Sequence, residues 1–310
     1  MQIHALRMHS DGEGETTMRT LTRIFLFYLG AVLAAQAQGA DLGEMQSLYR
    51  SLQPRLTQSP FQRELVLDST EAYERLSGDI YATLDVPLAS LELVNRSPLR
   101  WCEILLLLSN TKSCVVGRQD EVPSLQMRIG TKGPQALAST SPMNFKFVTS
   151  ATQATVLETH LSSSSGPMGI KDGTLRVQAI ALGPHKSFVH LHYSYRSGLA
   201  GQLATGLYLQ TLGRGKVGFS KEQIEASRPA DAPWVGGVRG IIERNTMRYF
   251  MGLSCALQFA GTDAASQRFA QMAPCWYDEA ERYPQQLREM GRQEYLEMKR
   301  AEFERDAPKS

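Results

Sequence analysis

The chain has 310 residues, 42% of them hydrophobic and 21% charged, an ordinary globular composition that excludes intrinsic disorder as the overall state. With 33 basic against 31 acidic residues the formal charge is +2, which leaves no net electrostatic drive toward nucleic acid or an anionic membrane. Partners are therefore to be sought through shape and apolar contact.

The only long apolar run lies between Ile24 and Ala35, preceded by Arg19 and Arg23 and followed by small residues through Ala40. A basic start, a short apolar centre and the Ala35-x-Ala37 exit are the three parts of a secretory signal, with cleavage after Ala37 or Ala40. The run falls short of the roughly 20 residues that span a bilayer comfortably, although an uncleaved anchor is the alternative. Residues 1–17 are polar and acidic, which makes Met18 a candidate initiator. The expected location is periplasmic or secreted, with no stable membrane span once the signal is removed.

Residues 41–60 form a polar lead-in with a weak apolar face at Leu48, Tyr49 and Leu52, and Pro54 and Pro60 are expected to end any helix there. Strands are predicted over 63–67 and 76–84, the second alternating Ile80, Ala82 and Leu84 with Asp79, Tyr81 and Thr83. Pro87 opens a short helix through Leu91, Val94 and Asn95. Ser97 and Pro98 then supply the cap and first turn of a second, which runs through Trp101 and Leu105.

Runs rich in β-branched and aromatic residues follow at 115–116, 125–129, 145–148, 155–161, 174–182 and 187–195. No helix intervenes, so an antiparallel meander is expected, with 162–167 as its clearest loop. A helix is predicted over 199–212, ended by the glycine-rich stretch 213–218. That stretch follows its helix, whereas a phosphate loop needs a helix N-terminus behind it. Over 238–259, Val238, Ile242, Tyr249, Leu253 and Ala256 share one stripe, with Glu243, Arg244 and Arg248 off it. Arg239 is expected to pair with Glu243 on the exposed side, while Arg244 and Arg248 repel one another unless an anion relieves them. Helices over 264–273 and 284–305 complete the chain, the last one charged and expected to lie solvated on the outside.

Four cysteines in an exported chain permit two disulfides. Three pairings are open, with Cys102 to Cys114 the first choice and Cys255 to Cys275 the second. The alternative is four buried thiols acting as small hydrophobes. Neither a C-x-x-C spacing nor a histidine cluster supports zinc, and neither a metal nor a cofactor is expected.

His190 and His192 stand two apart on a strand and share one face, opposite Val189, Leu191, Tyr193 and Tyr195. Two metal ligands are thereby conceivable, but no third has a diagnostic spacing, and a half-polar strand face is the plainer reading. Asn245 interrupts an apolar stripe, so its amide must find partners, either a ligand's polar end or a backbone carbonyl. Trp101 and Tyr249 are core or cavity-wall aromatics. The serines offer no G-x-S-x-G elbow, and no recognisable catalytic arrangement appears.

The stretch from Gly78 to Pro87, through Leu91 to Asn95, to Pro98, Trp101 and Cys102 resembles the opening of the START and polyketide-cyclase-like superfamily. The resemblance covers about residues 61–259. The segment from Val235 to Tyr249 is also similar to a group of exported proteobacterial proteins. The superfamily resemblance implies an α+β helix-grip fold, in which a curved antiparallel sheet grips a long C-terminal helix around an apolar cavity. Here extra C-terminal helices follow, which gives a domain over 61–260 and a helical extension over 261–310.

The expected function is an exported binding module for a hydrophobic small molecule or lipid, with Trp101, His190, His192, Asn245 and Tyr249 as the candidate cavity set. Two alternatives stand beside it. One is a cyclase-, aromatase- or hydrolase-like enzyme using a cavity histidine, and the other is an assembly protein docking a partner through residues 284–310.

Overall fold

The computed structural model describes residues 41–152, 156–197, 215–222 and 232–307. The expected signal region and the helix predicted over 199–212 lie outside the described residues. Eight strands, β1 (Leu65–Ala72), β2 (Arg75–Leu84), β3 (Thr111–Gln119), β4 (Val122–Ile129), β5 (Ser141–Thr152), β6 (Val156–Ser165), β7 (Ile170–Gly183) and β8 (Lys186–Ser197), form one sheet. Its order is β1-β2-β8-β7-β6-β5-β4-β3, and every neighbouring pair is antiparallel. The chain makes the β1–β2 hairpin, leaves for two helices, and returns along the meander until β8 closes against β2. Residues 162–165, expected in a loop, instead extend β6, because Ser162 and Ser163 pair with Thr174 and Gly173 of β7.

The two helices between hairpin and meander are α2 (Leu88–Asn95) and α3 (Pro98–Leu106). The Ser97 hydroxyl accepts a hydrogen bond from the Arg100 amide at 3.3 Å, and Pro98 occupies the first turn. Across the inner face of the sheet lies α4 (Gly237–Gln258), the long helix of a helix-grip architecture. It seats on Gly78 of β2, where a Cβ would overlap the Thr246 hydroxyl and lie 3.1 Å from the Thr246 Cβ. The centre of the inner face is apolar and covered: Ile80, Ala82, Val177, Ala179, Val189 and Leu191 have no accessible surface.

Residues 41–60 correct the expectation that proline ends the helix there. Helix α1 (Leu42–Thr57) runs through Pro54, with Asp41 as its cap. Pro54 stands in the last turn, so the helix gives up a single bond to Arg50 and ends soon afterwards. In return Met45, Leu52 and Leu56 are buried with Val66, Val156, Ile180 and Phe188 on the outer face of the sheet. Tertiary burial outweighs the local penalty.

The charged residues off the α4 stripe are buried, contrary to expectation. Glu243 accepts from the Ser69 hydroxyl at 2.6 Å and from the amides of Phe219 and Ser220 at 2.6 and 2.9 Å. Arg239 donates to Ser69 at 3.0 Å instead of pairing with Glu243 on the surface. The anion that Arg248 needs is Glu289, at 2.6 Å.

Three further helices, α5 (Ala265–Glu281), α6 (Pro284–Leu287) and α7 (Arg292–Asp306), pack on this body. Both expected disulfides are formed, Cys102–Cys114 with a Cα separation of 5.1 Å and Cys255–Cys275 with 6.0 Å. The second joins α4 to α5. Helix α7 is not a solvated surface element, because Tyr295, Met298, Lys299 and Glu302 are buried. The Tyr295 hydroxyl donates to the Leu107 carbonyl at 2.7 Å, and the Lys299 ammonium donates to Leu108, Thr111 and Glu302 at 2.6 to 2.9 Å. The Leu107 and Leu108 carbonyls lie just past the C-terminus of α3 and that of Thr111 at the start of β3, so α7 is tied to the turn between the two; Leu108 also accepts from the Thr111 amide at 3.0 Å. A further buried ion pair, Arg268 with Glu103 at 2.5 Å, ties α5 to α3. No helix among the described residues is long and apolar enough to cross a membrane.

Candidate functional site

The period of two along β2 and β8 gives the sheet two chemically different faces. On the inner side Tyr193 and Tyr195 of β8 have ring centroids 5.7 Å apart, and Tyr249 of α4 meets Tyr193 edge-on at 4.9 Å. Burial pushes the Tyr249 and Tyr195 hydroxyls up to about 12, so all their protons stay on at neutral pH. On α4, Ile242 and Thr246 are fully buried against the sheet. The adjoining stripe of Val238, Ile241, Asn245 and Tyr249 is only half-buried. Asn245 lies one turn before Tyr249, and its carbonyl oxygen accepts from Arg248 at 3.1 Å. Arg248 in turn pairs with Glu289, which also meets Lys132 at 2.7 Å. Burial raises the Glu289 carboxyl, but the charges of Arg248 and Lys132 outweigh it and hold the group at about 2. A fixed, ionised pair thus borders the half-buried stripe.

Trp101 is fully buried on α3, and its indole nitrogen makes no hydrogen bond among the described residues. The same is true of the side-chain oxygen of Asn95 on α2. Buried polar atoms are normally satisfied, at a cost of about 1 to 3 kcal/mol when they are not. Both helices pack over the sheet's inner face, where Thr159 of β6 donates to the Asn95 carbonyl at 3.0 Å.

The five residues expected to share one cavity do not share one face. Trp101 and Tyr249 join the core under the helices with Asn245 beside them, whereas His190 and His192 point to the opposite side, as their alternation with Val189, Leu191, Tyr193 and Tyr195 requires. There the β2–β8 register sets Asp79 opposite His192 and Tyr81 opposite His190. His190 Nε2 lies 2.7 Å and His192 Nδ1 2.8 Å from the same oxygen, Asp79 Oδ1. Tyr81 stacks on His190 with centroids 4.5 Å apart. Burial raises the Asp79 carboxyl, but hydrogen bonds from His190 and His192 overcome this and hold it well below the usual carboxylate range. Around the trio, Arg55 grips Asp68 at 2.6 and 2.9 Å, Gln178 donates to Glu158 at 2.6 Å, and burial lowers the His160 imidazole.

Asp79 is the partner that sequence reasoning missed. It stands 113 residues from His192, so no spacing rule could reveal it, and only the pairing of β2 with β8 brings them together. Its visible signal was its place on the polar side of the alternating strand 76–84.

No protein-family model matches the chain, and no curated protein matches its sequence. Several solved structures resemble it in fold. The aromatase/cyclase from Streptomyces sp. R1128 is 12% identical over 60% of this chain and 94% of that one, with a TM-score of 0.37. A STAR-related lipid transfer protein fragment from Xanthomonas axonopodis is 7% identical over 63% and 98%, with a TM-score of 0.35. Norcoclaurine synthase from Thalictrum flavum is 10% identical over 48% and 82%, at 0.30. The helix-grip architecture described above rests on this chain's own strand order and on α4, not on these likenesses.

Proposed function

We propose that this protein is an exported binding module that holds one apolar small molecule or lipid between the inner face of the sheet and the N-terminal half of α4. The observation that carries the reading is the unequal burial of that helix. Ile242 and Thr246 close completely on β2, while Val238, Ile241, Asn245 and Tyr249 keep accessible surface beside a sheet whose inner side chains are almost all apolar. A ligand with an apolar body gains about 25 cal/mol for each Å² it removes from water in such a place. A polar end finds Asn245 and the Arg248–Glu289 pair at the border, a common division of labour in small-molecule sites. The signal-like N-terminus and the two disulfides support export.

An enzyme acting through a cavity histidine is not favoured, because His190 and His192 lie across the sheet from this space. Docking of a partner through 284–310 loses its main support as well, since Tyr295, Met298, Lys299 and Glu302 face the protein's own body.

Titration with a pyrene-labelled fatty acid tests the proposal. The expected result is saturable one-to-one binding, weakened at least about tenfold by Tyr249→Trp, which fills the space, with the fold checked by circular dichroism. Absence of saturable binding to the wild type, or equal affinity for the well-folded variant, contradicts it.

A further inference from the structure

We propose that Asp79, His190 and His192 form a site for one divalent transition-metal ion of the zinc type on the outer face of the sheet. This site lies across the sheet from the proposed ligand space, and its failure would leave that reading untouched.

Two imidazole nitrogens and one carboxylate oxygen lie within 4.8 Å of one another. That is a ligand set that borderline ions such as zinc accept, whereas calcium and magnesium prefer oxygen throughout. The three side chains converge on one point instead of merely sharing a surface, because both ring nitrogens approach the same Asp79 oxygen at 2.7 and 2.8 Å. An ion seated between the three donors, once side-chain rotations open the two nitrogen–oxygen contacts, would have each donor at about 2.0 to 2.2 Å.

The support is rigid. All three residues stand on β2 and β8, paired in unbroken register from Arg75–Arg196 to Leu84–Ser187 inside the sheet, and Tyr81 stacks against His190 to limit its ring rotation. Sites built on paired strands hold geometry better than sites on loops. The side chains are also accessible enough to load, at 19% exposed for Asp79, 10% for His190 and 24% for His192. With both imidazoles neutral, the trio carries one negative charge in a partly buried place. A divalent cation answers that charge directly, and Asp68 and Glu158 add negative charge on the same face, against Arg55 and Arg176. Three protein ligands leave at least one position of a four-coordinate ion for water or an added ligand, as in an open site.

The experiment uses the full chain, stripped with a chelator, dialysed, and titrated with Co²⁺ followed by absorption, with Zn²⁺ as competitor. The proposal expects one equivalent of Co²⁺ with visible d–d bands, displaced by Zn²⁺. Asp79→Asn and His192→Gln should each weaken binding at least about tenfold. His185→Gln, on the exposed turn between β7 and β8, should change nothing. If Asp79→Asn does not fold, the less buried His192→Gln decides. No uptake by the wild type at about 100 μM metal, far weaker than a resident site, overturns the proposal. So does uptake that survives His192→Gln intact or vanishes with His185→Gln, which would mark an adventitious ion only.

Discussion

The inner and outer faces of β2 and β8 are made by alternate residues of the same two strands, yet they solve opposite problems. Inward, Ile80, Ala82, Val189 and Leu191 give up all contact with water and present a smooth apolar surface on which α4 closes at Gly78. Outward, Asp79, Tyr81, His190 and His192 keep partial access to solvent and satisfy one another with hydrogen bonds and stacking. A single register therefore fixes both the seat of the long helix and the convergence of three ionisable side chains, because a slip of one residue would exchange the two sets.

Added volume on the inner side should have the largest effect. Gly78→Val should destabilise the protein by about 3 kcal/mol, since its Cβ has no room against Thr246 and the helix must shift. Urea unfolding measures it, and the loss should come with weakened Co²⁺ binding, because Asp79 is the next residue on the same strand. A loss below about 0.5 kcal/mol, the scale of an ordinary surface change, would mean that α4 is not seated as described.

A milder change sharpens the same contrast through the ionised border of the inner face. Glu289 sits at about 2 in the folded protein against an ordinary 4.5, so its folded carboxylate is depressed and its stabilisation is complete above the unfolded value. That stabilisation is lost as pH falls toward the folded value. Between pH 5 and pH 3 the wild type should lose roughly 2 kcal/mol through this group, and Glu289→Gln should lose correspondingly less over the same window. Chemical denaturation at the two pH values reads the difference, and parallel pH slopes for the two proteins would contradict the assignment.

Much of this architecture was legible because it depends on local signals. The Ser97–Pro98 cap, the alternation of β2 and β8, the stripe of α4 and the antiparallel meander are all written within windows of a dozen residues or so. The cysteine pairs, 12 and 20 residues apart, fell within the same reach. What escaped depends on distant partners. Glu243 looked exposed because Ser69 lies 174 residues away, and Lys299 looked solvated because the carbonyls it caps belong to a chain segment 191 and 188 residues earlier. Pro54 looked like a helix end because the packing that rescues its helix comes from four different strands. The candidate sites follow the same rule. The shared face of His190 and His192 was readable, whereas Asp79 became their partner only through sheet pairing, and the histidines were separated from Trp101, Asn245 and Tyr249 by the thickness of the sheet.

Native mass spectrometry of the protein purified without detergent from the cells that make it decides whether the inner face holds a ligand. The inner face, read as a ligand site, predicts a population heavier than the polypeptide by the mass of one small organic molecule, released on denaturation and depleted in Tyr249→Trp. A single species with the same mass before and after denaturation, in protein that also fails to take up added lipid, would contradict the account.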